Sequence, residues 1–223
     1  AYKGDLLTHI VNKSDMETLF ISSEYIDRLI IVKNDLKGLK RLIIVGDQES
    51  LQKNAKSLKL ELLSFDELLH GSSHFPKCTV APRDTGSMLV TSGTTGPSKL
   101  VMRSHNQFFV IAQRSMESSQ AKEGDTFYTC LPLCHGLPIT SGIMPALLLG
   151  STVVVRERFS ASRFWDDIRS HDCTVFCTAG SLLAMLHNQP PRSDDSDNPV
   201  RVCVGSSTLT INQHRDFEKR FNL

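Results

Sequence analysis

The chain has 223 residues, long enough to bury roughly 70–75% of the surface that its unfolded form exposes, as one large or two small domains. With 25 basic against 24 acidic residues it is nearly neutral, so no excess of positive charge points to nucleic acid or an anionic membrane. No apolar stretch approaches the ~20 residues needed to span a bilayer and no charged-then-apolar leader opens the chain, so a soluble, cytoplasmic protein is expected.

Six cysteines (Cys78, Cys130, Cys134, Cys173, Cys177 and Cys203) are too sparse for a disulfide scaffold, and most sit in apolar sequence where a reduced cysteine acts as a small hydrophobe. Two Cys-x-x-x-Cys spacings lie in strand-like sequence without the tight knuckles of zinc sites, so no metal ligand is assigned. The opening Ala-Tyr-Lys-Gly-Asp reads as the inside of a longer chain, and a fragment is expected.

In chain order, residues 4–12 carry apolar positions at helical spacing (Leu6, Leu7, Ile10, Val11) and residues 16–21 read as a buried strand. A helix over 24–33 leads to a strand at 41–45, a turn at 46–48, a helical 50–58 and a third strand at 60–63. Ser64-Phe-Asp-Glu67 has capping-box form, in which a hydroxyl and a carboxylate satisfy N–H groups left unpaired at a helix start, and opens a brief helix to Leu69. Strand alternating with helix is the pattern of a parallel sheet covered by helices. The polar, proline-bearing 71–83 is a connector.

An apolar run, Met88, Leu89 and Val90, then opens into Thr91-Ser-Gly-Thr-Thr-Gly-Pro-Ser-Lys99. Gly93 and Gly96 let backbone N–H groups turn toward an anion, Thr91, Ser92, Thr94 and Thr95 add short hydroxyl donors, and Lys99 adds a point charge. Each suits a polyphosphate. An ordinary Gly/Ser/Thr surface loop is the bland alternative. The triphosphatase P-loop is excluded, because Leu100 follows the lysine where a Ser or Thr is required and Gly96 stands three residues before it.

The segment after Lys99 is expected to turn helical, Ser104 capping a helix with Phe108, Phe109 and Ile111 on its buried side as far as Ser119. The polar 120–124 ends in a turn signal and marks the expected boundary between sub-domains 1–119 and 120–223. Residues 126–131 read as a strand ending in the turn Pro132-Leu-Cys-His-Gly136, at the kind of place where ligands of α/β sheets gather. A helix over 139–149, with small Ser141, Gly142 and Ala146, stops at Gly150 and is followed by a strand at 152–155. Ser160 is expected to cap a helix over 161–170, with Phe164, Trp165 and Ile168 as core contacts, before a strand at 174–177. Residues 179–188 are helical, 190–199 form a solvated loop expected to be disordered, and 200–204 make a strand. Gly205-Ser-Ser-Thr is a loop, and Thr210-Ile-Asn-Gln213 is a second capping box that starts the last helix. The fold class is α/β: two layered sub-domains with mostly parallel sheets flanked by helices.

Position by position, Thr91 to Lys99 resembles the phosphate loop of the acyl-adenylate-forming superfamily, which includes acyl-CoA synthetases, peptide-synthetase adenylation domains and luciferases. Ser98 stands where proline is usual, and Leu100 replaces a glycine. Leu131-Pro-Leu-Cys-His135 resembles the family's Leu-Pro-[Leu/Met]-[Phe/Tyr]-His motif, whose histidine lies near the reacting carboxylate, although a histidine after Pro-Leu is on its own more often a turn residue. Arg158-Phe-Ser-Ala-Ser-Arg-Phe-Trp most resembles the carnitine and crotonobetaine CoA ligase branch. Arg201-Val-Cys-Val-Gly-Ser-Ser-Thr resembles the strand and loop along the adenine and acyl pocket, with serines in place of Gly and Ala.

The resemblance implies part of the large N-terminal domain of that fold and a two-step ligation. A carboxylate attacks the α-phosphate of magnesium ATP to give acyl-AMP and pyrophosphate, and the thiol of coenzyme A then displaces AMP. It places Thr91, Ser92, Gly93, Thr94, Thr95, Gly96 and Lys99 on the phosphates, His135 beside the carboxylate as the catalytic residue, and Gly205, Ser206 and Ser207 on the adenine and acyl pocket. The family's later Tyr-Gly-x-Thr-Glu and Thr-Gly-Asp motifs are not in this sequence, so the isolated fragment is expected to be inactive. The alternatives are a non-catalytic nucleotide-binding or protein-interaction module and a plain nucleotide hydrolase.

Overall fold

A computed structural model describes residues 2–46, 55–91 and 98–223. The chain divides into two units, Ala1–Ala81 with Ser87–Met102 and Pro82–Gly86 with Arg103–Leu223.

In the first unit, β1 (Thr18–Ser22), β2 (Arg41–Val45) and β3 (Glu61–Ser64) form a parallel sheet in the order β1-β2-β3. The central strand carries three successive buried residues, Leu42, Ile43 and Ile44, as a strand covered on both faces should. The helices Gly4–Lys13 and Ile26–Val32 contribute Val11, Ile26 and Leu29 to the same core. The capping box before the helix Phe65–Leu69 is present: Ser64 Oγ accepts from the amide of Asp66, and Glu67 accepts from the amide of Ser64 at 3.0 Å. Of the helical 50–58, only Ala55–Leu58 lies among the described residues, as a 3-10 turn.

A two-stranded hairpin of β4 (Thr85–Val90) and β5 (Leu100–Ser104) comes next in the chain. Its tip belongs with the first unit and its base with the second. The strand β5 fills the stretch between Lys99 and the expected cap, and the helix begins where Ser104 was expected to cap it. A helix needs a cap for its first unpaired N–H groups, and the hydroxyl that supplies one is Ser104, which accepts from Gln107 N at 3.2 Å and starts the helix His105–Ser119. The residues before it pair with β4 instead.

The second unit is built on β6 (Thr126–Thr129), β7 (Thr152–Val155), β8 (Val175–Thr178) and β9 (Val202–Gly205), all parallel, in the order β7-β6-β8-β9. The helix His105–Ser119 packs with this unit, so the division falls before it and not in the polar turn after Ser119. The turn is itself tied down: Arg201, just before β9, donates to the carbonyls of Ser119 and Gln120 at 3.1 and 3.0 Å.

The core of this unit is aromatic. Phe164 meets Tyr128, Trp165 and Phe176 edge-on at 5.1–5.3 Å, and Trp165 stacks on Phe221 at 4.3 Å. Phe164, Trp165 and Ile168 are buried, as their spacing predicts. Their helix, however, runs Phe164–Ser170 with Arg163 at its N-cap, while Ser160 bonds to the hydroxyl of Ser162 and caps nothing.

Residues 190–199 are folded, not disordered. Asp195 is buried and accepts from Arg192 N at 2.9 Å and from Arg220 Nε at 2.7 Å. Arg220 also donates to the carbonyls of His187, Gln189 and Pro190, so one guanidinium from the last helix, Ile211–Phe221, organises the loop. A composition rich in aspartate hid a pairing made 25 residues away.

Candidate functional site

The chain runs from β6 out to β7 on one side, then places β8 on the other side of β6 with β9 beyond it. Connections that part in this way leave a crevice outside the carboxyl ends of β6 and β8, where open α/β sheets bind ligands. Three loops occupy that end of the second unit.

The loop after β6 holds His135. Thr129 Oγ1 accepts from Leu131 N at 3.3 Å, and His135 N closes a turn on Pro132 O at 3.0 Å. The exposed imidazole stands at the N-cap of the helical turn Gly136–Pro138 and makes no capping hydrogen bond there. That turn runs on as a π-helical Ile139–Ile143 and then Met144–Leu149. Within the π segment Gly142 lies against the sheet, where an added Cβ would stand 3.3 Å from Cys177 Sγ.

The loops after β8 and β9 are laced together. Ser206 N donates to Thr178 O at 3.2 Å, Gly180 N to Ser206 Oγ at 3.4 Å, and Thr208 N to Gly180 O at 3.1 Å. Gly205, Ser206 and Ser207 then line a cavity of about 350 Å³ with Thr178, His214 and Glu218, a volume within the range of small-molecule sites. Thr178 is 2% exposed, and its hydroxyl has no hydrogen-bond partner among the described residues. A buried donor and acceptor left in this state costs free energy unless a ligand or water completes it.

Sequence reasoning picked out Gly205, Ser206 and Ser207 but missed the rest of this wall. His214 and Glu218 are four apart on the last helix, a spacing that puts both on one face and was available as a signal. Thr178 had no signal beyond its place at the end of a buried strand.

Arg201, which also lines the cavity, belongs to an ion pair. Asp125, itself 2% exposed, accepts from Arg201 Nε at 3.0 Å and more closely from the same guanidinium's Nη2, from Thr174 Oγ1 at 2.8 Å and from Lys122 N at 2.8 Å. Burial pushes this carboxyl upward, but the bonds from Arg201, the Lys122 amide and Thr174 outweigh it and hold the group below the ordinary carboxylate range. The thiols nearby are not poised nucleophiles: burial pushes Cys130 up to about 11, and Cys177 and Cys203 up to about 12.

In the first unit, only the two ends of the Thr91–Lys99 loop lie among the described residues. Thr91 N donates to Lys99 O and Lys99 N to Thr91 Oγ1, both at 2.9 Å. The Lys99 side chain is exposed. Ser92, Gly93, Thr94, Thr95 and Gly96 lie outside the described residues. Among the described residues no group of three or more His, Cys, Asp or Glu side chains could hold a metal ion, and no helix is long and apolar enough to cross a membrane.

Comparison with known proteins is consistent across the whole chain. The family model described as AMP-binding enzyme matches residues 1–223. Long-chain fatty acid transport protein 3 of Mus musculus is 32% identical over 223 residues, covering 98% of this chain and 32% of its own length. A medium/long-chain-fatty-acid–CoA ligase, FadD6, of Mycobacterium tuberculosis is 28% identical over 205 residues, covering 92% of this chain and 32% of that one. Among solved structures, the anthranilate CoA ligase AuaEII in complex with anthranoyl-AMP superposes with a TM-score of 0.81 at 17% identity, over 100% of this chain and 42% of that one. The chain thus spans about a third or less of the length of the relatives it matches by sequence.

Proposed function

Because the chain belongs to the AMP-binding enzyme family, we propose that it forms the nucleotide- and acyl-handling part of an ATP-dependent carboxylic acid:CoA ligase. In the reaction, a carboxylate oxygen attacks the α-phosphorus of ATP and pyrophosphate leaves. The thiol sulfur of coenzyme A then attacks the acyl carbon and AMP departs. The protein's share is positioning and charge neutralisation. Thr91 to Gly96 with Lys99 hold the β- and γ-phosphates, His135 borders the carboxylate, and Gly205 to Ser207 line the adenine and acyl pocket.

The observation that supports this reading is the cavity that runs along β9 to Gly205, Ser206 and Ser207, with Thr178, whose buried hydroxyl has no partner among the described residues, in its wall. The described residues offer no carboxylate or imidazole cluster for a cation, so magnesium is proposed only as the ion that travels with the ATP phosphates. A long-chain acid is the proposed substrate class, on the names that the sequence relatives carry; none of those relatives bears the name of the carnitine branch.

The test is ATP binding by the 223-residue chain, together with fatty-acid-dependent exchange of pyrophosphate into ATP by a polypeptide that extends it to the length of its relatives. Binding by the first and exchange by the second are expected, with no exchange by the 223 residues alone. ATP turnover without a carboxylate would instead support the hydrolase reading.

A further inference from the structure

A clamp on one peptide group next to the phosphate loop involves a residue far away in sequence. His9, on the helix Gly4–Lys13, bonds through Nε2 to the carbonyl oxygen of Ser98 at 2.9 Å, across 89 residues. A carbonyl only accepts, so Nε2 carries the proton and the ring donates. The other end of the same peptide group, the amide of Lys99, donates to Thr91 Oγ1 at 2.9 Å, and the carbonyl of Lys99 accepts from Thr91 N at 2.9 Å. The Ser98–Lys99 peptide is therefore held at both ends. The helix that carries His9 is itself anchored, since the next two residues, Ile10 and Val11, are buried.

We propose that His9 is a positioning residue for Lys99: by holding the Ser98 carbonyl it fixes the backbone from which the ammonium reaches toward the ATP phosphates. The proposal rests on the reading of Lys99 as a phosphate ligand. An exposed lysine has a flexible stem and three rotatable donors, so the entropy it loses on meeting an anion falls when its Cα is already fixed. The ring itself touches no phosphate in this role. Supporting groups of this kind hold a contact residue in its productive geometry.

The experiment measures the affinity of the chain for ATP and for AMP in the wild type and in His9→Ala, His9→Gln and Lys99→Ala. Glutamine places an amide N–H close to where the imidazole Nε2 stands. In His9→Ala, ATP affinity is expected to fall about tenfold while AMP affinity changes less than about twofold, and His9→Gln recovers most of the loss. Lys99→Ala loses ATP affinity at least as strongly. If Lys99→Ala is weakened and His9→Ala is not, the positioning role is wrong and the phosphate reading stands; if Lys99→Ala binds ATP as the wild type does, the phosphate reading itself falls. Equal weakening toward ATP and AMP without rescue by glutamine reduces His9 to a structural contact. Should His9→Ala fail to fold, ¹⁵N spectra of the wild-type imidazole decide: a protonated Nε2 that responds to ATP but not to AMP is expected, and a ring indifferent to ATP overturns the proposal.

Discussion

Gly205 meets the backbone of Thr178 so closely that a Cβ added at 205 would lie 1.8 Å from the Thr178 carbonyl oxygen, and its φ of +143° lies in the region that side chains rarely adopt. The loops that wall the cavity are therefore joined by a contact open only to glycine. Gly205→Ala is expected to destabilise the second unit by about 3 kcal/mol or more and to abolish nucleotide binding. Urea unfolding and isothermal titration check both. Ser206→Ala removes only a long hydrogen bond to Gly180 N and is expected to keep most of the stability.

The pair of Asp125 and Arg201 gives the second unit a dependence on acid. Asp125 has a folded pKa below its ordinary value, so its contribution is complete above about pH 4 and is lost as the pH falls through the lowered value. Arg201→Met leaves a buried charge unpaired and is expected to cost about 3–5 kcal/mol at neutral pH. It also raises the Asp125 pKa, so the mutant's stability falls less steeply than the wild type's at acidic pH. Denaturant curves between neutral and strongly acidic pH test the slope as well as the offset.

Trp165 is the one tryptophan of the chain, and it stacks on Phe221 inside the second unit. Its fluorescence reports the unfolding of that unit. Phe164→Ala removes the ring that Tyr128, Trp165 and Phe176 all contact, with an expected loss of about 3–5 kcal/mol in the fluorescence-detected transition. Leu42→Ala in the first unit should leave that transition in place, and an equal shift in both variants would mean that the two units unfold as one.

Cys78 and Cys134 are exposed. Cys130, Cys173, Cys177 and Cys203 have thiols pushed up by burial to between about 11 and about 12. At pH 8 a thiol reagent is expected to label Cys78 and Cys134 quickly in the folded chain and the others only as it unfolds. Counting labelled residues by mass spectrometry gives the answer directly.

At the neck of the proposed phosphate loop, Thr91→Val removes the hydroxyl that accepts from Lys99 N. An ATP affinity about tenfold lower is expected, with Thr91→Ser close to wild type. Lys99→Ala is expected to flatten the salt dependence of ATP binding, since one point charge has gone.

Much of this protein is legible in one dimension because it depends on neighbours a few residues apart. The alternation of strand and helix, the capping boxes at Ser64 and Thr210, the strands β2 and β7, the buried stripe of Phe164, Trp165 and Ile168, and the loop from Thr91 to Lys99 all rest on spacing within a turn or a strand. The order of residues in that loop also pointed to the family. Only the folded chain decided that Leu100–Ser104 is a strand, that the helix His105–Ser119 belongs to the second unit, and that Asp195 is buried against Arg220. It also decided that Thr178 faces a cavity with Gly205 and that His9 reaches Ser98. The β2–β3 pairing, the Asp195–Arg220 ion pair and the His9–Ser98 hydrogen bond join residues 20, 25 and 89 positions apart, and the strength of such links comes from the desolvation that tertiary packing creates, which local residue order does not encode.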